Sequence, residues 1–203
     1  MILHAIVSDP AAAAWAARNG ASVIQLRLKA ETTAERMVVG RQVIAGVRDL
    51  AIVVINDDVV AAATLGVAVH LGQEDPGVKR ARREGIRFGR SAATVAQARR
   101  AEADGALYIG AGAVWETPSK PDAGDAIGLV GLAAICRSVR IPVIAIGGVD
   151  STNAASCIGA GAAGVAVIRA VRELPGLRAV VDAALASATG RGRWAATRHQ
   201  DAR

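Results

Sequence analysis

Short runs of β-branched and other apolar residues alternate along the chain with longer segments in which apolar positions recur every three or four residues. The strand-like runs fall at residues 3–7, 22–27, 51–55, 68–71, 87–89, 106–109, 142–146 and 164–168. The spacing predicts helices at 10–19, 33–48, 59–65, 76–84, 94–103, 128–139, 152–158 and 174–188. Strict strand–helix alternation requires parallel strands joined by right-handed crossovers. An open doubly wound sheet shares this alternation, but eight units within 203 residues favour closure. The expected fold class is therefore α/β, a single (β/α)8 or TIM barrel. Glycines punctuate the ends of units, at Asn19-Gly20, Leu65-Gly66, Glu84-Gly85, Asp104-Gly105 and Gly159-Ala160-Gly161, where they read as helix C-caps. The domain is expected over residues 1–188, with a flexible basic tail at 189–203 that is rich in Gly, Arg and small residues.

Hydrophobic residues make up 52% of the chain but aromatics only 2%. Ala, Val, Ile and Leu must therefore fill the core, which suits buried parallel strands packed closely by helices. The net charge of +6 is mostly a surplus of Arg. Its densest stretch, from Lys79 to Arg83, has no interleaved aromatics and reads as the solvated face of a short helix, so nucleic acid is not an expected partner. Anionic phosphorylated small molecules account equally well for a mildly basic protein. Cys136 and Cys157 lie in predicted helices, outside any CxxC or metal-ligand pattern, and are expected as free thiols in a reducing compartment. The apolar run at residues 2–7 is too short for a secretory signal, and no apolar stretch reaches membrane-spanning length. A cytoplasmic protein without membrane contact is expected, and assembly into a homo-oligomer is compatible with the sequence.

In such a barrel the reacting groups lie at the C-terminal ends of the strands. The second strand runs on as Gln25, Arg27 and Lys29 alternating with apolar residues, which predicts one polar face rising toward the rim. Arg and Lys there suit phosphate oxygens, as a bidentate fork and a point charge. The third strand ends in Asn56-Asp57-Asp58, which reads either as a polar rim or as a helix N-cap. The fourth ends in Gly72-Gln73-Glu74-Asp75, so Asp57 and Asp75 come from adjacent strand ends and could share one Mg2+. The fifth ends at Ser91. A polar loop after the sixth holds Thr117, Ser119 and Lys120, a candidate binding loop with a second phosphate cation. Gly147 and Gly148 after the seventh strand, with Ile168 and Arg169 ending the eighth, suit a backbone phosphate site of the kind barrels build there. An ordinary Gly-Gly turn is the alternative.

Five segments in order resemble thiamine phosphate synthase, within its superfamily with the thiazole tautomerases. They are Ile24-Gln25-Leu26-Arg27-Leu28-Lys29, Ile55-Asn56-Asp57-Asp58, Val69-His70-Leu71-Gly72-Gln73-Glu74-Asp75, Thr117-Pro118-Ser119-Lys120 and Ala145-Ile146-Gly147-Gly148-Val149. The resemblance spans residues 2–172. It implies transfer of 4-amino-5-hydroxymethyl-2-methylpyrimidine from its diphosphate to hydroxyethylthiazole phosphate, giving thiamine phosphate and pyrophosphate. By position, it assigns Gln25, Arg27, Lys29, Asn56, Ser91 and Lys120 to the pyrimidine diphosphate, and Asp57 and Asp75 to Mg2+. Thr117, Ser119, Gly148 and Ile168 fall to the thiazole phosphate. Arg27, Lys29 and Lys120 would then neutralise the leaving pyrophosphate. The sequence departs from the family pattern at Ala93, where a His is usual and where the tautomerases place their proton-transfer residue, and at Arg169, where Ser is usual. Arg169 would either grip the thiazole phosphate or fill its site. His4 replaces a common aromatic, and Leu28 a frequent Glu. Two other activities remain: a thiazole tautomerase, for which none of His4, His70 and His199 is expected to supply the shuttle, and a barrel that binds phosphates or thiamine intermediates without turnover.

Overall fold

The structure is a computed structural model that describes residues 2–73, 75–118 and 124–197. Eight parallel strands close into a barrel in sequence order, each followed by a helix. The strands are β1 (Leu3–Val7), β2 (Val23–Leu26), β3 (Ile52–Asn56), β4 (Ala68–Leu71), β5 (Phe88–Ala92), β6 (Ile109–Ala111), β7 (Val143–Ile146) and β8 (Gly164–Val167). The helices are α1 (Pro10–Arg18), α2 (Thr33–Val47), α3 (Val59–Leu65), α4 (Gly77–Arg83), α5 (Val95–Ala103), α6 (Gly128–Ser138), α7 (Ala154–Gly159) and α8 (Leu174–Thr197). The expected barrel is therefore the observed one. The main shifts in element bounds are in β5 and β6, which lie further along the chain than the apolar runs suggested, and in α8, which carries helix past position 188 to Thr197.

Strand alternation sorts the core into two clusters. One face of the strands meets the helices, through Ala5, Ile24, Leu26, Val53, Ile55, Val69, Leu71 and Val165 among others. The other face fills the barrel, where Ile6, Tyr108, Ile144 and Ala166 form a separate cluster with Ile146 and Ile168 beside it. Each fully buried Leu or Ile contributes about 1.5–3 kcal/mol. The helices are set close by alanines at helical spacing: Ala13, Ala16 and Ala17 on α1, Ala61 and Ala62 on α3, Ala98 and Ala101 on α5. A larger side chain at such a position overpacks the layer, typically at a cost of about 1–3 kcal/mol.

Caps fix where the helices begin, and hence where the rim loops end. The Asp9 carboxylate accepts from the Ala12 N–H at 2.8 Å. Capping boxes start α2 at Thr32 with Glu35 and α5 at Thr94 with Gln97. Asp58 caps α3, accepting from the Ala61 N–H at 2.9 Å and pairing with Arg36 at 3.2 Å. Arg36 also donates to the Leu28 carbonyl at 3.1 Å, tying the loop after β2 to the start of α3. Burial works to raise the Asp58 carboxyl, but the Ala61 N–H, Thr33 and Arg36 hold it below its ordinary value. No helix among the described residues is long and apolar enough to cross a membrane.

Candidate active site

A cavity of about 740 Å3 opens at the C-terminal end of the barrel. Its floor comes from inward-facing strand residues: Ile6 of β1, Gln25 of β2, Asn56 of β3, His70 of β4, Ser91 of β5, Gly110 of β6, Ile146 of β7 and Ala166 of β8. Gln25 and Asn56 are buried. The Asn56 side-chain amide donates to Asp57 Oδ2 at 2.6 Å, and the Asp57 N–H donates to the His70 carbonyl at 2.8 Å. Asp57 takes a left-handed backbone (φ 62°), a conformation that Asp and Asn tolerate better than most residues, and it lines the cavity. Asp58 turns away into its cap, so the Asn-Asp-Asp run serves both of its expected roles at successive residues.

Of the polar row expected on the second strand, Gln25 and Arg27 line the cavity and Lys29 does not. The strand stops at Leu26, and the two-residue period does not extend through the loop beyond it. Lys29 instead lines an adjoining cleft of about 1060 Å3 with Trp15, Glu31 and Arg172. Arg27, Ile168 and Arg169 border both spaces. Asp75 is likewise absent from the cavity lining, and its Oδ1 accepts from the Gly77 N–H at 2.7 Å at the start of α4. Gln73 does line the cavity, and its loop is fixed from two sides. Buried Arg90, ion-paired with Asp104, donates to the Gln73 carbonyl at 2.6 Å, and Gln97 Nε2 donates to Gln73 Oε1 at 2.8 Å.

On the opposite wall the segment after β6 is strapped to β7. The Val114 N–H donates to the Ile146 carbonyl at 2.9 Å and the Trp115 N–H to the Gly147 carbonyl at 3.0 Å. Gly147 and Gly148 have φ of 93° and 67°, and a Cβ on either would stand 2.5 Å from Ala113 Cβ or 2.7 Å from Trp115 Cβ. Only glycine fits both the conformation and the space. Thr117 lines the cavity from this loop, as do Ile168 and Arg169 at the end of β8. Ser119 and Lys120 lie outside the described residues.

Sequence reasoning placed His70 away from the chemistry, yet it lines the cavity, with Nε2 3.0 Å from Ser91 Oγ. Alternation along β4 puts His70 on the same face as Ala68, but the run alone reveals neither which face turns into the barrel nor its partners. His4 is buried beneath the cavity, edge-on to the Tyr108 ring, and burial with the neighbouring His70 lowers its pKa to about 3. His199 lies outside the described residues. Ala93 does not line the cavity; its N–H donates to Gln97 Oε1 at 2.8 Å. Burial pushes the Cys136 and Cys157 thiols up to about 11 and about 12, and both are free and outside the cavity. Among the described residues no group of three or more His, Cys, Asp or Glu side chains could hold a metal ion.

Residues 6–171 match the family model described as thiamine monophosphate synthase. The chain belongs to the thiamine monophosphate synthase family. It is 45% identical over 183 residues to thiamine-phosphate synthase of Roseiflexus sp. (strain RS-1), covering 84% of this chain and 77% of that one. It is 42% identical over 159 residues to the thiamine-phosphate synthase of Moorella thermoacetica, covering 75% of each. Among solved structures, thiamine phosphate pyrophosphorylase from Pyrococcus furiosus superposes with a TM-score of 0.83 at 33% identity, over 91% of this chain and 96% of that one.

Proposed function

We propose that this chain is a thiamine phosphate synthase, joining the pyrimidine diphosphate to hydroxyethylthiazole phosphate with loss of pyrophosphate. The observation that carries this reading is the meeting, in one cavity, of Gln25, Arg27, Asn56, Asp57 and Ser91 with Thr117, Gly147, Gly148 and Ile168. These are residues that the sequence assigns to the two substrates and the metal, drawn from six of the eight strand ends and loops.

In the reaction the thiazole nitrogen forms a bond to the pyrimidine methylene carbon as the bond from that carbon to the diphosphate oxygen breaks. The electron pair leaves with pyrophosphate, so the protein's task is to hold two anions and stabilise the charge that departs. Arg27 offers a guanidinium fork, and Asn56 and Ser91 offer neutral donors, on the wall where the diphosphate is assigned. Lys29 stands in the adjoining cleft, which shares Arg27 with the cavity, and Lys120 is assigned to the diphosphate from the sequence. Gly147 and Gly148 leave the backbone bare, which lets a phosphate approach N–H groups closely. Arg169 borders this region and adds a cation for the thiazole phosphate.

The donor chemistry suits Mg2+, which takes one or two carboxylates and completes its shell with waters and substrate phosphate oxygens. Asp57 lies in the cavity lining, and Asp75 follows at the end of the neighbouring rim loop. Asp57 would hold the ion from the cavity, and Asp75 would join it from outside the lining on giving up its contact with the Gly77 N–H; the bound ion would neutralise diphosphate oxygens. Soluble phosphorylated substrates accord with a cytoplasmic protein.

Pyrophosphate release, measured with both substrates and Mg2+ and then with each of the three omitted in turn, tests this function. Release that needs all three is expected. No release from folded protein that still binds either phosphate would replace the synthase with a binding barrel.

A further inference from the structure

Beneath Ser91 a buried polar chain runs across the inside of the barrel. Tyr108 is buried, with its ring held where Gly89 leaves space, since a Cβ there would lie 2.2 Å from the ring. The Tyr108 hydroxyl hydrogen-bonds the Gln25 side chain and lies 3.0 Å from His70 Nδ1. His70 Nε2 lies 3.0 Å from Ser91 Oγ, and Ser91 faces the cavity.

Proton inventory sets the direction of the chain. Burial favours the neutral phenol, so Tyr108 keeps one proton to donate. With its oxygen accepting from the Gln25 amide, that proton goes to His70 Nδ1. His70 then carries its own proton on Nε2 and donates it to Ser91 Oγ. Nε2 has no lone pair left for Ser91, so the serine proton turns to the cavity. A serine hydroxyl alone can donate or accept, whereas this one is committed to donating, as an anionic acceptor requires.

We propose that Tyr108 and His70 are positioning residues that hold Ser91 as a hydrogen-bond donor to the diphosphate group in the cavity. This rests on the synthase reading only for the identity of the ligand. Neither Tyr108 nor His70 touches the reacting atoms; they act through the serine.

Two measurements test it. Nitrogen NMR of the wild-type protein, labelled at histidine, reads the tautomer directly. The Nε2–H form of His70 is expected, and an Nδ1–H form would overturn the proposal. Calorimetric titration with inorganic pyrophosphate and Mg2+ then compares Ser91→Ala, Tyr108→Phe and the double variant, each first shown to be folded by its thermal midpoint. Loss of a hydrogen bond to a charged group weakens binding about ten- to a hundredfold, so Ser91→Ala should fall in that range. Tyr108→Phe should weaken binding several-fold, and the double variant should bind no worse than Ser91→Ala. Unchanged binding by Tyr108→Phe, or losses that simply add, would overturn it. Wild-type protein that binds pyrophosphate with this pattern but releases none from the two substrates would sink the synthase reading and leave the relay standing. Normal turnover with an indifferent Tyr108→Phe would do the reverse.

Discussion

Strands β2 to β5 present the cavity with polar side chains: Gln25, Arg27, Asn56, Asp57, His70 and Ser91. Strands β6 to β8 present it with glycines and hydrocarbon at Gly110, Gly112, Gly147, Gly148, Ile146, Ala166 and Ile168, and their loops add Glu116, Thr117, Asp150, Arg169 and Glu173 at the rim. One wall recognises its ligand by side-chain charge and donors that mutation can delete singly. The other offers bare backbone at Gly147 and Gly148, which an added atom would disturb, beside a rim of polar loop side chains. That contrast accords with the two substrates, a diphosphate that must leave and a monophosphate that must only be held.

The largest effect is expected at Asp57. Asp57→Asn keeps the left-handed backbone preference and removes the charge. Pyrophosphate release at saturating Mg2+ should fall about a hundredfold or more, with the thermal midpoint nearly unmoved. Unchanged release would take Asp57 out of the site and blur the contrast between the walls. Next is Gly148→Ala, which adds one methyl where φ is 67° and Trp115 Cβ stands 2.7 Å away. A rise of about tenfold in the KM for the thiazole phosphate is expected, with a strain of about 1–3 kcal/mol visible in denaturant unfolding. Equal damage to both substrates would show that the walls are not specialised. Arg169→Ser should raise the same KM a few-fold, as for a partly exposed ion pair; a gain in turnover instead would mean that Arg169 obstructs the cavity.

The smallest effect at working pH concerns His4, beneath both walls. Its pKa in the folded state, about 3, lies below the ordinary 6.5, so the unfolded chain binds the extra proton between those values. Stability is full above about pH 6.5 and is lost as pH falls toward 3, by up to about 1.4 kcal/mol per pH unit. His4→Phe should flatten that slope in acid melts, and an unchanged slope would assign the acid loss to other groups.

Much of this was legible from periodicity. Eight alternating runs named the barrel, because parallel strands buried on both faces are written as apolar runs punctuated by helix caps. What period two missed has physical causes. The apolar run of the sixth strand ends before Gly110, yet Gly110 lies inside the barrel, where a Cβ would stand 3.2 Å from the His70 ring. The expected sixth strand therefore stopped at 109. The Gln25–Arg27–Lys29 row was extrapolated past Leu26, where the pleat ends, so Lys29 was placed in the wrong space. His70 went unassigned because a single histidine in an apolar strand shows its partners, Tyr108 and Ser91, only when distant strands are folded together.

The seam between β1 and β8 sets the kinetics of assembly. Residues 3–5 pair with residues 165–167, nearly the whole domain apart in sequence. Until that last strand is synthesised the polypeptide is an open sheet, with the apolar runs of β1 and β7 as unpaired edges available to any other chain. Parallel contacts of such long separation place the molecule among slow folders. A nascent chain released before residue 164 would therefore expose two adhesive borders that the finished ring does not have.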